Sequence, residues 1–312
     1  MKKYCKIKVK LQRYSEVYFM KKLQLVINPA AGTKQGRKYL ADIIAHFGSK
    51  GYITTVFVTE KRGDATDFIS QDGGEYDLIV CIGGDGTFNE SVAGIVKSNL
   101  DVPIGYIPAG STNDFASSLH ISSDIMQACR DIASGTEHTL DVGLFNERCF
   151  SYVASFGIFT KTSYSTPQNV KNALGHLAYI LEGIKEIAQI RAERVRLKTS
   201  DRTVEGEYLF GAVSNSTSLG GVLTLDPDIV DMNDGMFEIM LIKSPANINE
   251  LNAILRALRL RQYDNPMIDF LRTDRAVIYA REDMDWSLDG EYAKGCAEVK
   301  RVNTHSAIRL VT

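Results

Sequence analysis

The chain has 312 residues, of which 44% are hydrophobic and 24% charged, as in a globular protein with one large or two ordinary domains. Its net charge of −2 argues against a dedicated nucleic-acid-binding protein, and no apolar run reaches the roughly 18 residues that span a bilayer. The five cysteines and five histidines show no pairing or zinc spacing. We therefore expect a reducing, cytoplasmic compartment and no zinc site.

The N-terminal segment is strongly basic. The first 22 residues hold eight Lys or Arg and one Glu, a net +7, which leaves −9 for the rest of a chain whose total is −2. This segment lacks the continuous apolar core of a signal peptide. Because Met20 followed by two lysines resembles a translation start, residues 1–19 are either an upstream extension of little function or a basic arm that touches anionic lipid. We take residues 1–21 as an N-terminal extension.

Strand-like apolar runs alternate with helical patterns from residue 22 to about residue 141. The predicted strands are Leu23–Asn28, Ile53–Thr59, Leu78–Ile82 and Ile104–Ile107, and the predicted helices lie near Gly36–Gly48, Asp64–Ser70, Thr87–Val96 and 113–119. This alternation predicts an α/β nucleotide-binding domain with a doubly wound parallel sheet. Each strand ends in a turn rich in Gly, Pro, Asn or Asp. Because ligands bind at the carboxyl ends of such strands, we expect these turns to form one site.

The pattern changes after about Asp141. Short β-rich segments with tight polar turns predict a mainly antiparallel β domain over residues 142–303, interrupted by helices near Asn169–Ala192 and Ile248–Arg261. The short apolar end of the chain, within residues 304–312, is predicted to return to the first domain.

The sequence Gly83-Gly84-Asp85-Gly86-Thr87 follows the third predicted strand and precedes a helix. It is neither a P-loop, since no Lys-Ser/Thr follows, nor the Gly-x-Gly-x-x-Gly dinucleotide fingerprint. The glycines allow backbone N–H groups to approach phosphates, the helix N-terminus adds its dipole, and Thr87 can donate its hydroxyl. Asp85 would repel bare phosphate, so its presence suggests an intervening Mg²⁺. The alternative is that Asp85 only caps the helix.

Three further stretches carry polar groups, namely NPAAG (28–32), PAGSTNDFA (108–116) and LDGE (288–291). Each alone is a common turn or helix-cap sequence. Together with GGDGT they resemble the diacylglycerol-kinase-type lipid kinases, in particular the soluble bacterial branch, whose superfamily includes sphingosine kinases and NAD kinases. The resemblance covers residues from about 22 to 312. GGDGT is shared with NAD kinases and phosphofructokinases, whereas PAGSTNDFA narrows the match to lipid kinases, with Ser111 in place of the usual Thr.

The resemblance implies an NAD-kinase-like fold and ATP- and Mg²⁺-dependent transfer of the γ-phosphoryl group to a lipid hydroxyl, above all conversion of diacylglycerol to phosphatidic acid. It implies that Glu291 is the proton acceptor, with Asp289 and Asp85 as further catalytic residues; a plain hairpin turn would leave Glu291 unexplained. The nucleotide site that it implies consists of Asn28, Thr59, Gly83, Gly84, Asp85, Gly86, Thr87, Asn89, Ser111, Thr112, Asn113 and Asp114. An NAD kinase and a catalytically inactive nucleotide-binding regulator are the alternatives.

Residues 225–242 resemble a family segment that binds a second, structural Mg²⁺. The resemblance implies ligation by the Asp234 side chain and the carbonyl groups of Asp231 and Met236, and oxygen ligands suit this ion. A type I′ hairpin turn at Asn233-Asp234-Gly235 is the open alternative.

The predicted helices near Asn169–Ala192 and Ile248–Arg261 combine apolar and basic residues. Such helices can rest on an anionic membrane, although many simply pack on a core with one solvated face. We expect a lipid substrate held in a cleft of the β domain and transient peripheral contact with the inner face of the membrane. No nucleic acid partner is expected, and a homodimer is left open.

Overall fold

The structure, a computed structural model, describes residues 20–32, 34–111, 113–158, 192–219 and 223–312. Residues 1–19, Thr112 and, apart from Ala192, the predicted helix near Asn169–Ala192 lie outside the described residues. Within them the chain forms two units. Unit 1 contains the described residues up to Ser111 together with Ile121–His138 and Arg309–Thr312, and unit 2 contains those within Thr112–His120 and Thr139–Ile308.

Unit 1 is built on a parallel sheet. Its strands are β1 (Lys21–Ile27), β2 (Tyr52–Val58), β3 (Leu78–Gly83) and β4 (Ile104–Pro108). They lie in the order β4-β3-β1-β2, and every neighbouring pair is parallel. The residues of β3 and β4 are all buried, which explains their nearly continuous apolar sequences. Near the end of the chain, Leu310 and Val311 pair with β4 in parallel orientation.

Helices cover the sheet of unit 1. They are α1 (Gln35–Lys38), α2 (Leu40–Ser49), α3 (Asp64–Asp72), α4 (Asp85–Lys97) and, after α5 (Asp114–Ser118) of unit 2, α6 (Ile125–Ser134). The single helix predicted near Gly36–Gly48 is divided into α1 and α2 at Tyr39. The strand–helix alternation confirms the predicted α/β fold class.

Unit 2 is mainly antiparallel β structure, as predicted. Its described strands are β5 (Glu137–Phe145, of which 139–145 belong to this unit), β6 (Arg148–Phe150), β7 (Val153–Gly157), β8 (Glu193–Lys198), β9 (Thr203–Ser214), β10 (Ser218–Leu219), β11 (Leu223–Thr224), β12 (Phe237–Lys243), β13 (Ile268–Thr273), β14 (Arg275–Tyr279), β15 (Trp286–Leu288), β16 (Glu291–Ala293) and β17 (Glu298–Val311, up to Ile308). Strand β9 is central, because β7, β8 and β12 all pair with it antiparallel.

The second unit also contains the amphipathic helix α7 (Ile248–Leu260). Asn247 caps its N-terminus by accepting hydrogen bonds from Asn249 N and Glu250 N, both at 3.0 Å. The core of the unit is rich in aromatic side chains, with Trp286 in edge-to-face contact with Phe145 and Phe156. In the part of the chain that the structure describes, no helix has the length and apolar character needed to cross a membrane.

Candidate active site

The loops after β1 and β3 meet at the carboxyl edge of the sheet in unit 1. Asn28 N donates to the Ile82 carbonyl at 2.9 Å, and the Asn28 side-chain amide donates to Thr87 Oγ1 at 3.1 Å. Asn28 Oδ1 in turn accepts from Ala30 N at 3.0 Å, which holds the start of its own loop. Because Thr87 Oγ1 accepts a hydrogen bond from the Asn28 amide, the Thr87 hydroxyl keeps its own proton to donate to another group. A hydroxyl that binds a phosphate oxygen donates in this way.

The loop after β4 joins the same edge through main-chain contacts. Ala109 N donates to the Gly83 carbonyl at 2.7 Å. A Cβ atom on Gly84 would lie 3.2 Å from Gly110 Cα. Gly32, with φ +49°, would place a Cβ atom 2.4 Å from the Ala109 carbonyl oxygen. The loops after β1, β3 and β4 are therefore closely packed: a side chain at Gly32 would overlap the loop after β4, and one at Gly84 would require that loop to shift by a few tenths of an ångström.

Asp85 is the first residue of α4, and Gly84 occupies the N-cap position without a side-chain cap. Asp85 is therefore not the N-cap residue of this helix. Asp85 Oδ1 accepts a hydrogen bond from the Tyr106 hydroxyl at 3.3 Å, and Tyr106 stacks on Phe88 with a ring-centroid distance of 4.5 Å. The carboxylate is thus oriented by a buried tyrosine at the positive end of a helix dipole.

The loop after β2 is tied to the same helix. Glu90 Oε1 accepts from Gly63 N at 2.9 Å, and the Glu90 carbonyl accepts from Thr66 Oγ1 at 2.8 Å. Thr59, which follows β2 directly, is buried, and its N–H donates to the Ile27 carbonyl at 2.9 Å. All four strand ends that the sequence singled out are therefore held by hydrogen bonds at this edge.

The stretch PAGSTNDFA passes from unit 1 into unit 2. Ser111 is exposed in unit 1, and Thr112 lies outside the described residues. In unit 2, Asn113 is the N-cap of α5 with φ +51°, but its side chain makes no capping hydrogen bond. Burial raises the pKa of the Asp114 carboxyl. Of the remaining residues predicted for the nucleotide site, Gly86 and Asn89 lie near the start of α4.

The stretch LDGE forms the hairpin between β15 and β16. Asp289 has φ +50° and Gly290 has φ +81°, so both central residues have the positive φ of a type I′ turn. Leu288 and Glu291 pair across the turn. Glu291 is therefore the first residue of β16, and its side chain is partly exposed.

Asp289 is buried, and its carboxylate accepts three backbone hydrogen bonds. Its donors are Ser151 N at 2.6 Å, Tyr152 N at 3.0 Å and Val153 N at 2.9 Å. Asp289 N also donates to the Val153 carbonyl at 2.8 Å. These bonds fix the turn to the start of β7, so Asp289 holds the backbone from which Glu291 projects.

The loop before β12 does not form the type I′ turn that was considered. Gly235 has φ +77°, whereas neither Asn233 nor Asp234 has a positive φ. Instead, Asp234 Oδ1 accepts from Met236 N at 2.8 Å, and Gly235 N donates to the carboxylate of buried Asp141 at 2.7 Å. The loop is thus stabilised by two carboxylates that accept backbone N–H groups.

The guanidinium of Arg272 forms an ion pair with the Asp234 carboxylate. Arg272 Nε also lies 3.2 Å from Glu238 Oε1, and the Glu238 side chain is completely buried. Burial, only partly offset by Arg272, raises the pKa of Glu238 to about 7. Within the described chain no group of three or more His, Cys, Asp or Glu residues could hold a metal ion. The structural-magnesium set of Asp231, Asp234 and Met236 stays a prediction.

Three of these contacts were not anticipated from the sequence. Tyr106 lies in an apolar strand, where an aromatic residue usually indicates only core packing. Nothing in the local sequence indicates that the Tyr106 hydroxyl donates a hydrogen bond to Asp85. The hydrogen bonds of Glu90 to Gly63 and Thr66 likewise depend on which elements the fold brings together. The same holds for the ion pair of Glu238 with Arg272.

The two units, a parallel sheet with an acid-bearing glycine loop at its carboxyl edge and an antiparallel β unit, have the architecture of an NAD-kinase-like fold. Residues 22–145 match the model of the diacylglycerol kinase catalytic domain, and residues 153–311 match the YegS C-terminal NAD kinase beta sandwich-like domain. The chain belongs to the diacylglycerol kinase family of lipid kinases.

Relatives of similar length support this assignment. A diacylglycerol kinase of Bacillus subtilis (strain 168) is 34% identical over 295 residues, which cover 94% of this chain and 96% of the relative. A diacylglycerol kinase of Staphylococcus epidermidis is 34% identical over 275 residues, or 87% and 86% of the two chains.

Solved structures share the fold. The crystal structure of a diacylglycerol kinase from Bacillus anthracis str. Sterne has a TM-score of 0.71 and 19% identity, covering 94% of this chain and 97% of that chain. Another structure from the same organism reaches a TM-score of 0.77 at 21% identity with the same coverage.

Proposed function

We propose that this lipid kinase transfers the γ-phosphoryl group of ATP, with Mg²⁺, to diacylglycerol and so produces phosphatidic acid. The observation that carries the proposal is the set of converging glycine loops around Asp85, in a family whose named relatives are diacylglycerol kinases. The direct test supplies labelled ATP, Mg²⁺ and either diacylglycerol or NAD⁺. The label is expected in phosphatidic acid, and its appearance in NADP⁺ would overturn the proposal.

On the nucleotide side, the first-turn N–H groups of α4 would bind phosphate oxygens, aided by the Thr87 hydroxyl. The Asp85 carboxylate would hold Mg²⁺, directly or through water. A single carboxylate suits an ion that arrives with the nucleotide, because Mg²⁺ is commonly bound by one or two carboxylates plus substrate phosphates. The bound ion would neutralise the charge that develops on the transferred group. Asn28, Thr59 and Ser111 would complete the site in unit 1, and the contributions of Thr112, Asn113 and Asp114 stay predictions.

On the acceptor side, Glu291 would take the proton from the lipid hydroxyl as it attacks the γ-phosphorus. Asp289 would act as a positioning residue, since its carboxylate is already engaged by three backbone N–H groups. This division of roles gives the two acids of LDGE different tasks.

The outward side of α7 supports the proposal that the enzyme works at the inner face of a membrane. The side chains of Arg256, Arg259 and Arg261 are exposed, and none has an acidic partner among the described residues. Ile248 and Leu260 at the two helix ends are 58% and 50% exposed. Unpaired arginines beside exposed aliphatic side chains fit an anionic lipid surface.

Removal of the Asp85 carboxylate is expected to abolish Mg²⁺-dependent transfer. Asp85→Asn keeps an oxygen to accept from Tyr106, so it separates loss of metal binding from loss of that hydrogen bond; Asp85→Ala removes both. Initial rates with diacylglycerol should fall to background in each variant. The control is Asp67→Ala, which removes an exposed acid from the first turn of α3. Mg²⁺-dependent activity that persists in Asp85→Asn would show that another group binds the ion.

Neutralising Arg256 and Arg259 together is expected to weaken binding to anionic vesicles by about tenfold or more, since each basic residue near such a surface contributes about 1 kcal/mol. Sedimentation with phosphatidylglycerol-containing vesicles measures the effect for the Arg256→Gln/Arg259→Gln variant. Arg275→Gln, at an exposed position on β14, is the control. Equal binding of the wild-type protein to purely zwitterionic vesicles would contradict the assignment of this face.

A further inference from the structure

Tyr106 places a hydroxyl group in a strand that otherwise consists of apolar residues. All five residues of β4, Ile-Gly-Tyr-Ile-Pro, are buried, and Tyr106 itself is 1% exposed. A buried hydroxyl lowers stability unless hydrogen bonds compensate for the water that it loses. A phenylalanine would supply the same ring without that cost. Packing therefore explains the ring of Tyr106 but not its hydroxyl.

The hydroxyl lies between two acceptors of the loop after β3. It is 3.3 Å from Asp85 Oδ1 and 3.4 Å from the Gly83 carbonyl oxygen, and it has one proton to donate. The Gly83 carbonyl already accepts from Ala109 N at 2.7 Å, so it has a donor even without the tyrosine. Asp85 offers a carboxylate, and hydrogen bonds to ionised acceptors are the stronger ones. The contact with Asp85 is therefore the one that explains the hydroxyl.

The ring of Tyr106 is held by the same helix that carries Asp85. Phe88 is completely buried and stacks on Tyr106 with a centroid distance of 4.5 Å and an interplanar angle of 29°. Phe88 follows Asp85 by three residues in α4, so both side chains lie on one side of the helix. The backbone of Tyr106 is fixed in turn, because it lies beside Cys81 in the β3–β4 pair. A packed ring thus holds its hydroxyl against one oxygen of the Asp85 carboxylate.

We infer that Tyr106 is a positioning residue that makes the Asp85 site selective for Mg²⁺ over Ca²⁺. The inference rests on the proposed function, in which Asp85 holds the metal ion of the nucleotide. Mg²⁺ demands near-ideal octahedral geometry, whereas Ca²⁺ accepts variable numbers of ligands in flexible arrangements. A carboxylate held in one orientation suits the first ion, and a carboxylate that is free to turn suits the second. Tyr106 acts through Asp85 and is not itself a catalytic residue.

Tyr106→Phe tests this role, because it removes the hydroxyl and keeps the ring that stacks on Phe88. Isothermal titration calorimetry measures binding of the magnesium and calcium complexes of adenylyl imidodiphosphate, an ATP analogue that is not hydrolysed. The variant should bind the magnesium complex about fivefold more weakly, as expected for the loss of one hydrogen bond. Its affinity for the calcium complex should change by less than about twofold, since Ca²⁺ tolerates a less ordered ligand.

Tyr76→Phe is the matched control. It removes the hydroxyl of another tyrosine in unit 1, whose ring packs edge-to-face on Phe57. Tyr76 precedes β3, at the opposite end of that strand from the Asp85 loop. This variant should bind both complexes as the wild-type protein does. Thermal unfolding should show that both variants are folded, and damage to the fold would weaken both complexes alike rather than change the preference between them.

The outcomes separate the inference from the proposal beneath it. Equal loss of affinity for both complexes in Tyr106→Phe, unchanged affinity for both, or a wild-type protein with no preference for Mg²⁺ would overturn the inference alone. Asp85→Asn, measured in the same way, tests the proposed function. If that variant bound the magnesium complex as tightly as the wild-type protein does, the proposed role of Asp85 would be wrong and the role of Tyr106 with it.

Discussion

Glu291→Gln is expected to lower kcat for phosphoryl transfer by about 10²- to 10⁴-fold, the usual contribution of a positioned general base. Glutamine has nearly the same shape as glutamate but cannot accept the proton of the attacking hydroxyl. The apparent affinity for ATP should be nearly unchanged, because the proposed nucleotide site lies on other residues. Initial-rate kinetics with ATP and diacylglycerol varied in turn separate the two parameters.

The structure indicates that Glu291→Gln should remove the carboxylate without changing the backbone of the hairpin. The backbone at Glu291 is set by the type I′ turn at Asp289 and Gly290 and by the three N–H groups that bond to the Asp289 carboxylate. None of these features uses the Glu291 carboxylate, so the hairpin should persist in the variant. Thermal unfolding of the variant and the wild-type protein checks that expectation.

Glu298→Gln is the matched control for Glu291→Gln. Glu298 is 45% exposed on β17 and pairs with Lys300, at 3.5 Å, and a surface pair of this kind contributes little. Its kcat should equal that of the wild-type protein. If Glu291→Gln kept near-normal kcat in a folded protein, the proton acceptor would have to be another group.

Much of the first unit follows from the sequence, because buried parallel strands are apolar runs and loops at their carboxyl ends are polar. Helix α6 was not predicted, although its sequence contains recognisable signals of a helix. Asp124 accepts from Gln127 N at 2.6 Å as its N-cap. The apolar positions Ile125, Ala128, Cys129 and Ile132 follow helical spacing and are buried. The helix escaped prediction because its ten residues lie between two turn-rich stretches.

Contacts between residues that are far apart in the sequence could not be predicted. The sequence indicates an acid in the loop after β3, but not that Tyr106, 21 residues later, donates to it. It indicates an Asp-Gly turn, but not that the Asp289 carboxylate binds N–H groups 136 to 138 residues earlier. Such pairings depend on strand order and register, which local patterns do not specify. The sequence therefore locates candidate residues, whereas the fold shows which groups Asp85 and Asp289 contact.

Arg272→Met is expected to lower the free energy of unfolding by about 3 kcal/mol at pH 8, the low end of the range for breaking a buried ion pair. Glu238 is completely buried, and Arg272 Nε, at 3.2 Å from its Oε1, is the cation beside it. The other oxygen, Oε2, has no hydrogen-bond partner. Loss of Arg272 would leave a buried carboxylate uncompensated. The low end applies because Arg272 itself is 43% exposed.

The effect should depend on pH. Burial raises the pKa of Glu238 from 4.5 to about 7, so between these values the folded protein holds a proton that the unfolded chain has released. Raising the pH through this window therefore removes stability. At pH 5.5 the carboxyl group of the folded protein is already mostly protonated, and Arg272→Met should have a much smaller effect than at pH 8.

Urea unfolding at both pH values measures these differences. Arg275→Met is the control, because Arg275 is 70% exposed and pairs with its neighbour Asp274; its free energy of unfolding should change by less than about 0.5 kcal/mol. In the Arg272→Met/Glu238→Gln variant no buried charge is left unpaired, so much of the stability lost at pH 8 should return. An equal loss at pH 5.5 and pH 8, with no recovery in the double variant, would show that Arg272 stabilises the fold through packing or Asp234 instead.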